Sequence, residues 1–120
     1  MQTRFRFPQS CRLIASADFQ LVRQKGFAFR GKLITLGVLA GQEQIRAGFI
    51  TSKRVGGAVL RNRTRRRLRE IFRHHRHEIV GGSWIVTVAS AKAARASYRS
   101  LEDDWLHLAE RASILAARAR

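Results

Sequence analysis

From Arg61 to Arg76, eight of sixteen residues are arginine and one, Glu70, is acidic. No packed core accepts that density of like charge, so most of it must face water or a polyanion. The apolar residues of the segment are ordered too. At about 100° per residue, Leu60, Leu68, Ile71 and Phe72 gather on one arc, with Thr64 among them. Opposite lie Asn62, Arg66, Arg69 and Arg73, with Arg65 alongside. The spacing predicts an amphipathic helix from about Gly57 to His75. One side is apolar enough to lie on a sheet, and the other is a ridge of guanidinium groups.

The rest of the chain shares this bias. The formal net charge is +16 and the pI about 11.9. Such an imbalance points to nucleic acid or an anionic membrane as partner. The 24 basic residues are 20 Arg and 4 Lys, and arginine grips phosphate bidentately and stacks on bases. A genome rich in arginine codons produces the same bias, so the bias alone specifies little. With 120 residues, 45% of them hydrophobic, one domain with one modest core is expected. No apolar run is long enough to cross a bilayer, and MQTRFRFPQS lacks the apolar segment of a secretory signal. A cytoplasmic location is the expectation.

Residues 1–12 read as a basic arm, with Phe5 and Phe7 set between Arg4, Arg6 and Arg12. Ser16 to Gly26 reads as a short helix with Ser16 as N-cap and Gly26 as stop. Phe27 to Ala40 reads as one long strand or two short ones, bent near Gly31. Gly41 to Gln44 reads as a hairpin turn into a strand from Arg46 to Ser52, so these segments suggest an antiparallel meander. Trp84 to Ala89 is apolar enough for a buried strand, joined to the preceding strand by a β-α-β crossover. A last helix starts near Ser97 with a stripe of Tyr98, Leu101, Trp105, Leu108, Ala112 and Leu115. Glu102, Asp103 and Asp104 suit its positive start. Residues 111–120 form the end of that helix or a tail. The order is α-β-β-β-α-β-α, an α+β fold with four strands and three helices.

A catalytic set is not legible. Glu102, Asp103 and Asp104 are adjacent on a helix and point in different directions, unlike the converging carboxylates of a two-metal nuclease. His74, His75 and His77 lack cysteines for a zinc site, and Cys11 is alone. A chain this basic without a catalytic set is expected to bind the molecule that does the chemistry.

The segment GFITSKRVGGAVLRNRTRRRLREIFR, Gly48 to Arg73, resembles the signature of the bacterial ribonuclease P protein subunit. That signature is a strand ending in serine and two basic residues, then G-x-AV-x-RNR, then basic-basic-x-x-R-E. ADFQLVRQKG resembles the family's first helix. The resemblance implies a four-stranded sheet with three helices and a left-handed β-α-β crossover through the arginine helix, where the general rule favours the right hand. It implies an RNA subunit as catalyst, and a protein that binds this RNA and the 5′ leader of precursor tRNA. Endonucleolytic cleavage then gives the mature tRNA 5′ end. Magnesium is expected to serve the RNA, with no cofactor, membrane or obligate protein partner for the protein itself.

On that resemblance, Lys53, Arg54, Arg61, Asn62, Arg63, Arg65, Arg66 and Arg69 are the RNA-binding candidates. Phe19, Arg23 and Phe29 are the candidates for the leader. Phe19 matches the family's aromatic in the first helix, with core packing the competing role. The chain departs from the family in two places. A second aromatic is replaced by Arg23, and none occurs at Leu36-Gly37-Val38. Phe27 or Phe29 is available to compensate. A structural RNA-binding protein of ribosomal type fits the same size and charge, and a DNA binder would use Arg61 to Arg76 as a recognition helix. The RNR signature favours the ribonuclease P reading over both.

Overall fold

The computed structural model describes residue 12 and residues 16–116. The arm of residues 1–11, with Phe5, Phe7 and Cys11, lies outside the described residues. Helix α1 runs Ser16–Lys25, followed by strands β1 (Phe27–Arg30), β2 (Ile34–Ala40) and β3 (Arg46–Thr51). Helix α2 runs Ala58–His75, strand β4 Ser83–Ala89 and helix α3 Tyr98–Arg111. This is the α+β order expected. Ser16 is the first helical residue of α1 rather than its cap, and Gly26 ends the helix as expected.

The meander is not what forms. The sheet order is β1-β2-β4-β3. Strands β1 and β2 make an antiparallel hairpin, but β4 lies between β2 and β3, antiparallel to the first and parallel to the second. The cause is burial. Ser83, Ile85, Val86, Thr87 and Ala89 are all buried, so β4 is covered on both faces and belongs in the centre. Residues Gly41 to Gln44 therefore pass over the start of β4 instead of closing a hairpin. Gln42 N–H donates to Gly82 O at 3.2 Å, and a Cβ at Gly82 would stand 1.7 Å from Gln42 O. Only glycine permits that approach. The crossover β3-α2-β4 joins adjacent parallel strands, as expected.

Helices α2 and α3 cover one face of the sheet. Leu68, Ile71 and Phe72 of α2 meet Leu101, Trp105 and Leu108 of α3 over Ile34, Leu36, Val38, Ile85 and Ala89. Thr64 is buried because its hydroxyl donates to Leu60 O at 2.8 Å. Leu60 leaves the predicted apolar arc: it is 40% exposed and folds over Gly56. Helix α1 lies on the opposite face, where Val22 packs on Val86.

The acids of α3 do not serve its N-terminus. Its first turn holds none, and Ser97 Oγ caps it by accepting from Ser100 N–H at 3.1 Å. Asp104 instead ties α3 to the β1–β2 connection. Its carboxylate accepts from the backbone N–H of Lys32 (3.3 Å), Leu33 (2.9 Å) and Ile34 (3.1 Å). Gly31 leaves the room, since a Cβ there would stand 2.6 Å from Asp104 Oδ2. Asp104→Ala is expected to destabilise the fold by about 3 kcal/mol, because part-buried donors lose a charged acceptor. Asp104→Asn keeps one acceptor oxygen and should lose about half as much. Urea unfolding of the two variants checks the order; equal stability of both with the parent contradicts the assignment.

Glu102 faces His75, whose Nε2 lies 2.7 Å from Glu102 Oε2 while Nδ1 lies 2.6 Å from Glu78 Oε2. The HHRH run thus contributes a bridge between α2 and α3. Among the described residues, no group of three or more His, Cys, Asp or Glu could hold a metal ion. Among the same residues, no helix is long and apolar enough to cross a membrane.

Candidate nucleic-acid interface

Two surfaces flank the strand β3. The first is α2 and its approach. The strand ends at Thr51, and Ser52 Oγ caps a short 3-10 turn, Lys53–Val55, by accepting from Arg54 N–H at 3.3 Å. Lys53 and Arg54 are thereby held in an exposed turn before α2. Gly57 is the N-cap of α2 and offers no side chain, so the helix start is bare.

The arginines of α2 divide into two sets. Several are tied to the protein. Arg61 Nη1 donates to Gly56 O at 3.4 Å, and Arg67 Nη1 to Ala96 O at 3.0 Å. Arg73 pairs with Glu70. Arg65 is half-buried, donating from Nη1 to Thr51 Oγ1 at 3.1 Å and from Nη2 to Asn62 Oδ1 at 2.5 Å. The helical wheel puts Arg65 beside the exposed ridge, but Thr51 draws it back onto β3. Arg63 and Arg66 are exposed and have no hydrogen-bond or ion-pair partner among the described residues. Arg69 is crowded by like charge. Burial first, then the guanidiniums of Arg12 and Arg65, pull it below the usual arginine value. It remains a cation at neutral pH, so the site gains from any anion that enters.

The sequence places Arg12 in the basic arm. It bridges to Ala47 at the β3 edge. With Arg66, Arg67, Arg69, Arg73, Tyr98 and one acid, Glu70, it lines a groove beside α2. Burial first, then Glu102 and Glu70, raise the Tyr98 phenol above its usual value, with Arg73 opposing. It therefore stays a hydrogen-bond donor. No local pattern ties Arg12 or Tyr98 to this groove, because both arrive through long-range packing.

The second surface is a cleft of about 450 Å³ between α1 and the sheet. Phe19 and Arg23 of α1 line it, with Phe27 at one side and Thr35, Gly37, Ile50, Val86 and Val88 of the strands. Its volume is that of a small-ligand site, about 300–1,000 Å³. Phe19 is half-buried against the Val22–Val86 cluster and also borders the open space, so packing and lining are not exclusive. Arg23 is exposed along the same rim. Phe29 is elsewhere. It packs with the α2–α3 core, with the Arg111 guanidinium 5.9 Å from its ring centre. Phe27 pairs with Val38 as Phe29 pairs with Leu36, so both start on the α2–α3 face of the strand, but Phe27 is left 76% exposed. Adjacent residues of β3 serve the two surfaces: Ile50 lines the cleft, and Thr51 orients Arg65 on the other side.

Comparison with known proteins bears on this arrangement. The sequence matches the family model described as Ribonuclease P over residues 7–113. It is 33% identical over 112 residues to the ribonuclease P protein component of Syntrophomonas wolfei, covering 92% of this chain and 94% of that one. It is 37% identical over 108 residues to that of Chloroflexus aurantiacus, covering 88% and 80%. Among solved structures, the RNase P protein of Staphylococcus aureus superposes with a TM-score of 0.80 at 26% identity, covering 88% of this chain and 97% of that one. That of Thermotoga maritima gives 0.75 at 27% identity, covering 83% and 96%. Sequence and fold agree along nearly the whole length, and the chain belongs to the ribonuclease P protein family.

Proposed function

We propose that this protein binds the catalytic RNA of ribonuclease P through α2 and holds the 5′ leader of precursor tRNA in the cleft beneath α1. The observation that carries this reading is the pairing of two unlike surfaces on one strand. One is a helix whose exposed Arg63 and Arg66 have no hydrogen-bond or ion-pair partner among the described residues. The other is an apolar cleft with a phenylalanine wall and an arginine rim. The first suits phosphates on folded RNA, which are held by charge without reading sequence. The second suits unpaired bases, which stack on aromatic rings.

In this reading Arg63, Arg66 and Arg69 take phosphates, with Lys53 and Arg54 beside the bare helix start. Arg61, Arg65 and Asn62 shape the helix surface through their internal hydrogen bonds. Phe19 and Arg23 receive the leader. Strand scission that leaves a mature tRNA 5′ end belongs to the RNA, in the cytoplasm, with magnesium serving the RNA. The protein's part is to neutralise phosphate charge and to fix the leader relative to the RNA.

The reading is tested by equilibrium binding of the reconstituted particle to a precursor tRNA and to the same tRNA without its leader. The protein should make binding leader-dependent, and the RNA alone should not discriminate. Equal affinities for the two substrates in the presence of folded, RNA-bound protein would contradict the leader assignment and favour a purely structural RNA binder.

A further inference from the structure

His75 closes α2, and both nitrogens of its ring face acids. Nδ1 lies 2.6 Å from Glu78 Oε2, and Nε2 lies 2.7 Å from Glu102 Oε2. Glu78 belongs to the 3-10 turn Arg76–Glu78 that follows α2, and Glu102 to α3. One ring thus joins the end of α2 to both. Its flat side stacks on Trp105, at 6.2 Å between ring centres and 23° between planes, so turning away from the acids would cost that contact. The His75 side chain is 15% exposed, against 23% for Glu78 and 29% for Glu102. Other charged and titratable groups adjoin the bridge. Glu70 and Arg73 pair with each other one turn earlier on α2. His74, Arg76 and His77 flank His75 in the chain, and the neutral phenol of Tyr98 precedes Glu102 by one turn on α3.

The proton count follows from the geometry. A neutral imidazole has one N–H and one lone pair. Between two carboxylates it donates to one and turns its lone pair on the other. The imidazolium has two N–H groups and donates to both. The last turn of a helix also favours a cation, and His75 is the last residue of α2. We infer that His75 is a proton-operated latch, whose imidazolium holds α3 and the 3-10 turn against the end of the arginine helix. Loss of one proton releases one of the two acids and loosens the α2–α3 seam. The folded chain holds this proton through two contacts that the unfolded chain lacks. Folding is therefore favoured on the acid side and weakens as pH rises. Imidazole changes charge between about pH 5 and 8, and the latch works over that interval.

The test is thermal unfolding of the full chain at about pH 5.5 and about pH 8, on either side of the ordinary imidazole titration, for the parent, His75→Gln and Glu102→Gln. Over that rise the parent's melting temperature should fall by about 5 °C more than that of His75→Gln. His74, His77 and His107 remain in the variant, so the difference belongs to His75. An amide at position 102 can accept from a ring N–H or donate to a ring lone pair. Glu102→Gln should therefore show a smaller pH dependence than the parent while keeping its stability at the higher pH. A further measurement needs no variant. In the folded parent at the lower pH, nitrogen-15 NMR should show a proton on each ring nitrogen of His75. A bare ring nitrogen there overturns the latch, as does equal pH dependence in the parent and His75→Gln. Full pH dependence in Glu102→Gln would mean that the bridge to α3 does not respond to the proton, and overturns it as well.

Discussion

Replacing Arg63, Arg66 and Arg69 together by alanine is expected to weaken binding of ribonuclease P RNA by about 100-fold while leaving the fold intact. Each lost charged contact is worth about 1 kcal/mol, and three such losses give about that factor. The salt dependence should flatten as well, by about one unit of slope per arginine. Stability is spared for stated reasons. Arg63 and Arg66 are exposed without protein partners among the described residues. Removing Arg69 relieves repulsion with Arg12 and Arg65. Alanine is also the better helix former. Filter binding across a salt series, with a melting curve for each protein, separates the two effects. Arg65→Ala is a poorer probe, since it also breaks the hydrogen bonds to Thr51 and Asn62 that join α2 to β3.

The largest effect on folding is expected at Trp105. Its side chain is fully buried where α3 meets α2 and the sheet. Phe72 stands edge-on at 6.3 Å between ring centres, and His75 stacks at 6.2 Å. The indole Nε1–H donates to Thr87 Oγ1 at 3.2 Å, and Thr87 is itself fully buried. Trp105→Ala would open a cavity and leave that hydroxyl without its donor. The expected loss is about 3–5 kcal/mol, against a total stability of about 5–15 kcal/mol for a domain. The variant should melt far below the parent. A melting temperature near that of the parent would mean that the α2–α3 core is not what holds the arginine helix in place.

How much of this was legible in the sequence differs from element to element. The arginine helix was legible because its apolar residues and arginines keep a helical period, and its register placed Leu68, Ile71 and Phe72 correctly. The same wheel misplaced Arg65 and Leu60. Period alone does not see Thr51 reaching for one, or Gly56 giving the other a place to fold. The strand segments were found, but their pairing was not. Nearness along the chain favoured a meander, whereas the unbroken apolar run Trp84 to Ala89 needed cover on both faces and took the centre of the sheet. The acids of α3 looked like helix-start charges. Asp104 answers instead to three backbone N–H groups 70 to 72 residues earlier, which no local pattern announces. At the cleft, Phe19 and Arg23 of α1 line the same space, as their spacing of four on a helix allows. That Phe29 packs under Arg111 beside α3 depends on long-range packing that the local sequence does not announce.

On the proposed function, this chain equips a catalytic RNA to process precursor tRNA. The most direct measurement is cleavage of a precursor tRNA by the ribonuclease P RNA of the same organism at low magnesium, with and without the protein. Magnesium is scarce there and cannot by itself screen the RNA phosphates, so the protein's positive charge should matter most. The account predicts little cleavage by the RNA alone and restored cleavage at the mature 5′ end when the protein is added. No stimulation by a folded protein that binds the RNA would contradict it.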